Sequence, residues 1–245
     1  MKLILSKSGV AALLLVGAGV TLPVQAHGVW VAQRAGEWAL VLGESGADDE
    51  YRPDAVKQVI GHTQDGTARE VTVRARERNV ALAVPKDVTT LGASFEDGFW
   101  SETPQGKWVS GPRSKVPDAK KVGYYMMFTR TVLAAGEQRA KALGQPLEIV
   151  PQSDPMKLHK GAKLRVRVQF EGAPLAGALL ISDYLNDSKG RKLKTDAQGY
   201  AEVTIRSSGL NVIKASHAVA RKDRTEADED GYAATLAFAL PHSDD

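Results

Sequence analysis

The sequence of 245 residues contains no cysteine. Disulfides, thiolate metal sites, iron–sulfur clusters and thiol catalysis are therefore excluded. Aromatic residues are scarce at 6%, and the formal net charge is only +3. A nucleic-acid binder concentrates far more positive charge than this, so no nucleic-acid partner is expected. The zinc spacings HExxH and HxH, the EF-hand pattern and a phosphate-binding glycine loop are also missing. Ser45, in Gly43-Glu44-Ser45-Gly46, lacks the full G-x-S-x-G elbow of a hydrolase.

The longest apolar run lies at the start. Lys2 and Lys7 precede the aliphatic stretch Gly9 to Val20, and Val24-Gln25-Ala26 supplies small side chains for a cleavage site. The stretch is short and poorly flanked for a permanent membrane span and reads as a secretory signal peptide over residues 1–26, with an uncleaved N-terminal anchor as the rival reading. Its removal takes two lysines with it, so the remaining chain carries a formal charge of +1. The mature protein is expected in a bacterial periplasm, beginning at His27.

Period-two alternation dominates the rest. Leu164, Val166, Val168 and Phe170 alternate with Lys163, Arg165, Arg167 and Gln169, as in a strand with one buried face. Val71, Val73 and Ala75 form a similar row, as do Ala201, Val203 and Ile205. Further strands fit 28–32, 38–42, 56–60, 80–84, 147–150, 210–215 and 233–240. Residues 121–143 read as a long strand to about Leu133 followed by a polar loop or a short helical turn. Turns such as Gln64-Asp65-Gly66 and Asp196-Ala197-Gln198-Gly199 punctuate the series. The expected fold is all-β, with two β-sandwich-like domains over 27–145 and 146–245, the second prealbumin- or immunoglobulin-like. The acidic runs at 48–50 and 226–230 are expected as solvated loops.

Among residues able to carry chemistry, His27 stands out. As an N-terminal residue it offers its α-amine and its imidazole Nδ1 together, which close a six-membered chelate ring on Ni(II), Co(II) or Cu(II). The α-amine has a reference pKa of about 7.7–8.0, so a metal can displace its proton near neutral pH. His62, His159, His217 and His242 are the remaining histidines. His159 reads as a solvated loop residue and His242 as part of the tail. Any site must be assembled from distant segments.

Several segments in order carry a family resemblance: Ala26-His27-Gly28-Val29-Trp30-Val31, Tyr51-Arg52-Pro53, Gly98-Phe99-Trp100-Ser101-Glu102-Thr103, Gly111-Pro112-Arg113, Leu147-Glu148-Ile149-Val150-Pro151, Asp154-Pro155 and Gly172-Ala173-Pro174-Leu175-Ala176. In this the chain resembles the DUF4198 family of exported bacterial proteins, some of them associated with nickel or cobalt uptake. The resemblance implies two β-domains and a periplasmic metal-binding role; the ion would be sequestered or delivered to a membrane transporter. It also implies a histidine where His217 stands. Members often carry Gly-His at the end of the second strand, and this chain has Gly43-Glu44. The candidate metal ligands are thus His27 and His217, then His62 and Glu44. The expected function is binding of nickel or cobalt without a bond-making step. Two rivals stand beside it: an oxidative enzyme built on a copper histidine brace, and an envelope interaction module without a metal.

Overall fold

The computed structural model describes residues 27–136 and 141–240. The expected signal peptide and His242 lie outside them. Seventeen strands and two short 3-10 turns, Pro53–Ala55 and Pro155–Lys157, are found among the described residues. The strands are β1 (Gly28–Arg34), β2 (Glu37–Gly43), β3 (Val56–Thr63), β4 (Ala68–Glu70), β5 (Thr72–Ala75), β6 (Val80–Ala83), β7 (Val88–Glu102), β8 (Trp108–Ser110) and β9 (Lys121–Val132). They continue with β10 (Leu147–Pro151), β11 (Lys163–Phe170), β12 (Ala173–Pro174), β13 (Leu179–Ile181), β14 (Leu193–Lys194), β15 (Tyr200–Thr204), β16 (Leu210–Ala220) and β17 (Glu229–Ala239). The fold is all-β and sandwich-like, as the alternation indicates.

A nine-stranded sheet in the order β14-β13-β16-β17-β9-β7-β3-β4, with β8 paired to β7, forms the middle of the molecule. Smaller sheets cover its two faces. The alternating side chains of β17 show the division. Ala234, Leu236 and Phe238 pack with Leu164, Val166 and Val168 of β11. Ala233 instead packs with Val29, Val31 and Leu40 of β1 and β2. One face of the central sheet thus meets the sheet β1-β2-β6-β5, and the other meets β10, β11, β12 and β15.

The sequence boundary at residues 145/146 separates most of these two cores but does not divide the sheet. β9, from the first segment, pairs in parallel with β17, from the second, over ten residue pairs from Gly123↔Glu229 to Val132↔Phe238. Every other named pairing is antiparallel. A further buried cluster joins Trp30, Ala32 and Val41 to Ile181, Tyr184, Val212 and Ala237. The two sandwiches share one central sheet.

Other differences from the sequence reading have local causes. The row around Val71 is two strands, not one. β4 belongs to the central sheet and β5 to the outer one, and buried Val71 stands at the crossing. β7 shows no clean alternation because both of its faces are covered along much of its length, and a bulge between Glu96 and Gly98 resets its register. The acidic run at 226–230 is not a solvated loop. Glu226 accepts from Ser114, Asp228 from Arg113 at 2.6 Å and from the Val122 amide, Glu229 pairs with Lys121, and Asp230 with Arg221.

Candidate functional site at His27

β1 is held across the central sheet by threonine hydroxyls as well as by apolar packing. The Val31 amide donates to Thr131 Oγ1 at 3.1 Å, and Thr235 Oγ1 donates to the Val29 carbonyl. Gly28 permits the close approach: a Cβ there would lie 3.1 Å from Tyr184 and 3.3 Å from Thr235. These contacts fix the direction in which the chain enters β1, and hence the position of His27.

The β1–β2 register pairs Gly28 with Gly43. Extended by one residue, it sets His27 beside Glu44. After Gly43 the chain turns back on itself so closely that a Cβ on Gly43 would sit 1.8 Å from the Ala47 carbonyl oxygen. Only glycine fits that approach. The returning loop is then pinned by the Asp49 amide, which donates to the Leu42 carbonyl at 2.7 Å. This brings the Asp49 carboxylate Oδ2 to 3.2 Å from His27 Nε2, with both side chains partly exposed. A carboxylate facing Nε2 favours a proton on that nitrogen, which leaves the Nδ1 lone pair available to a metal.

Behind His27 lies a buried cation. Lys214 of β16 is 1% exposed, and its ammonium donates to the His27 carbonyl at 2.6 Å. Lys214 Nζ also sits 4.7 Å from the ring centre of Tyr184, whose hydroxyl donates to the Gly43 carbonyl at 2.9 Å. Burial pulls the Lys214 ammonium down to about 7; attraction to Glu44 opposes this and Lys192 adds to it. Burial, then Glu44 and Asp49, push the Tyr184 phenol well above its ordinary range. Glu44 itself accepts from Ser188 Oγ at 2.9 Å, and Ser45 Oγ lies 2.6 Å from Ser188 Oγ. His27 opens onto a cleft of about 470 Å³ whose walls include Asp49, Arg52, Lys57, Glu96 and Trp100.

The four candidate ligands are not gathered together. His27 and Glu44 share one end of the β1–β2 pair. His217 lies within β16, three residues beyond Lys214, but on the opposite face of the central sheet. Its ring packs against Phe170 with centroids 4.6 Å apart, and burial lowers its pKa. The odd-numbered neighbours Ile213 and Ala215 face the same core, while Val212 faces the cluster around Trp30 and Tyr184. The thickness of a sheet therefore separates His217 from His27. His62 stands near the end of β3, where it borders a pocket with Arg130 and Thr89. Lys57, on the wall of the His27 cleft, is roughly 17 Å away at about 3.3 Å per residue. Burial also lowers the His62 pKa. His159 is exposed, as expected, with Nδ1 2.9 Å from the Lys160 carbonyl. Among the described residues no three His, Cys, Asp or Glu side chains converge on a common metal position.

The sequence reading misses Asp49 and Lys214. Asp49 stands in an acidic run that reads as a solvated loop. Lys214 does interrupt the short apolar run of Val212, Ile213 and Ala215 within β16, and that interruption is the one available signal.

The fold and this site define an all-β protein whose first described residue is anchored over a shared sheet, with its imidazole facing an open cleft. The chain belongs to the DUF4198 family, described as a domain of unknown function, which matches residues 24–219. It is also similar to an uncharacterized protein of Haemophilus influenzae, at 24% identity over 206 residues, covering 81% of this chain and 87% of that one. No helix among the described residues is long and apolar enough to cross a membrane.

Proposed function

We propose that this is an exported binding protein for a transition-metal ion, Ni(II) or Co(II) in first place with Cu(II) as a competitor, which holds the ion in the periplasm and passes it to a membrane transporter. The reading rests on one observation: His27 Nε2 faces the Asp49 carboxylate at 3.2 Å. That contact orients the imidazole with Nδ1 as the free donor. Cleavage after Ala26 would add the α-amine beside it. The ion is cargo, and no bond-making step is implied. The protein's own donors are then the amine and Nδ1 of His27, with Glu44 set beside it by the extended β1–β2 register and the cleft left open to water or a delivered ligand.

Calorimetric titration of the processed protein with each ion tests the proposal. One ion bound per chain is expected, with affinity lost when a single residue is added ahead of His27. Retained affinity in the extended protein would refute the chelate. A flat titration of protein shown by mass spectrometry to begin at His27 would refute metal binding altogether.

A further inference from the structure

We infer that the outward face of β11 and β15 docks on the surface of an anionic phospholipid bilayer. Leu164, Val166 and Val168 are fully buried, so the alternate residues Lys163, Arg165 and Arg167 point away from the core. They repeat at roughly 7 Å along the strand. β15 lies alongside, with Tyr200 opposite Arg167 and Glu202 opposite Arg165. The Arg165 guanidinium sits 4.0 Å from the centre of the Tyr200 ring, and that of Arg167 sits 5.3 Å away. At the near end of the sheet the Gly161 amide donates to the Ile205 carbonyl at 2.9 Å, which brings exposed Lys160 and Arg206 together. The face and its end thus carry five cations. Of the carboxylates beside them, Glu202 reaches Lys163 at 3.5 Å, and Asp196 is turned onto its own loop, accepting from the Gln198 and Tyr200 amides.

The chain beyond residue 26 has a formal charge of only +1, so this is a local concentration of charge. Its shape selects the partner. The cations project from one side of two paired strands. A flat array of phosphate headgroups meets all of them at once, with a Coulomb attraction that adds from one cation to the next. Tyr200, an apolar ring with a polar tip held between two guanidiniums, suits the headgroup layer. The face lies on the second sandwich, away from His27, so the inference is independent of the metal reading.

The test is co-sedimentation of the processed protein with vesicles of phosphatidylcholine alone and of phosphatidylcholine mixed with phosphatidylglycerol. Binding is expected to the mixed vesicles only, and to fall with added salt. The double variant Arg165→Gln/Arg167→Gln should weaken it roughly 25-fold, about five-fold per charge at low salt. The charge-matched variant Lys86→Gln/Lys107→Gln, which alters exposed residues elsewhere, should bind as the parent does. All four side chains are at least partly exposed, and an unchanged melting profile verifies the fold. No binding to mixed vesicles, equal binding to both vesicles, or equal loss in the two double variants would each overturn the inference. So would tighter binding to soluble polyphosphate than to the vesicles, which would make the partner a free polyanion.

Discussion

His27 Nε2 and Asp49 Oδ2 stand 3.2 Å apart, and the loop that carries Asp49 back to His27 starts from Gly43, a position only glycine can occupy. If Asp49 orients the ring for a metal at Nδ1, Asp49→Ala should weaken ion binding by about 10- to 100-fold. His27→Ala should remove it. Isothermal titration at one pH compares the two. Binding by the parent should also weaken as the pH falls through the imidazole and amine ranges, because protons compete for the same lone pairs. An Asp49→Ala protein with undiminished affinity would show that the carboxylate plays no part in setting the ring.

The buried Lys214 gives a pH signature of stability. Its ammonium titrates near 7 in the folded protein, against an ordinary 10.5. Between those values the unfolded chain holds a proton that the folded chain lacks, so unfolding free energy should rise with pH across this window. Below about 7 both states are protonated and the contribution is flat. Lys214→Met should abolish the rising limb, as read by urea denaturation at a series of pH values. A slope retained in the variant would assign the effect to another group.

The ion pair of Arg130 and Glu148 is almost completely buried, with Nε 3.0 Å and Nη2 2.6 Å from Oε1. The Leu143 and Gly144 amides also donate to that carboxylate. Removing one partner leaves a buried charge uncompensated. Arg130→Met or Glu148→Leu alone should therefore cost about 3–5 kcal/mol. The double variant should cost less than the sum of the two, because neither charge remains. Strictly additive losses would mean that the two groups act independently.

Tyr125 lies across two glycines. A Cβ at Gly231 would come within 2.2 Å of its ring, and one at Gly123 within 2.4 Å. Gly231→Ala should therefore destabilise by about 1–3 kcal/mol through overpacking. Tyr125→Ala should relieve much of that penalty in the double variant. Thermal unfolding of the three variants measures the coupling, and additive losses would place the strain elsewhere.

A fragment spanning residues 146–240 would retain β11, β15, β16 and β17 but lose β9. That leaves ten residues of β17 without their parallel partner and exposes a long sheet edge. The fragment should aggregate or lack dispersed amide resonances, whereas the chain from residue 27 should not. A soluble, well-dispersed fragment would show that the second sandwich folds without its neighbour.

Strand content, and the wet face of several strands, can be read from the order of residues alone. In β11, Leu164 and Val166 are buried while Lys163 and Arg165 are exposed. That alternation is a direct record of one face meeting a core and the other meeting water. β7, covered on both faces along much of its length, carries no such record. His27 and Glu44 are also legible, because they lie at one end of a local hairpin whose pairing follows from its short turn. Which distant strands become neighbours emerges only on folding. Periodicity reports burial, and burial does not name the partner, so the parallel pairing of β9 with β17 leaves no trace in the sequence. The same limit governs the site. His217 and Lys214 belong to one strand, three residues apart, so they point to opposite faces. The central sheet therefore places Lys214 at His27 and carries His217 to the other core.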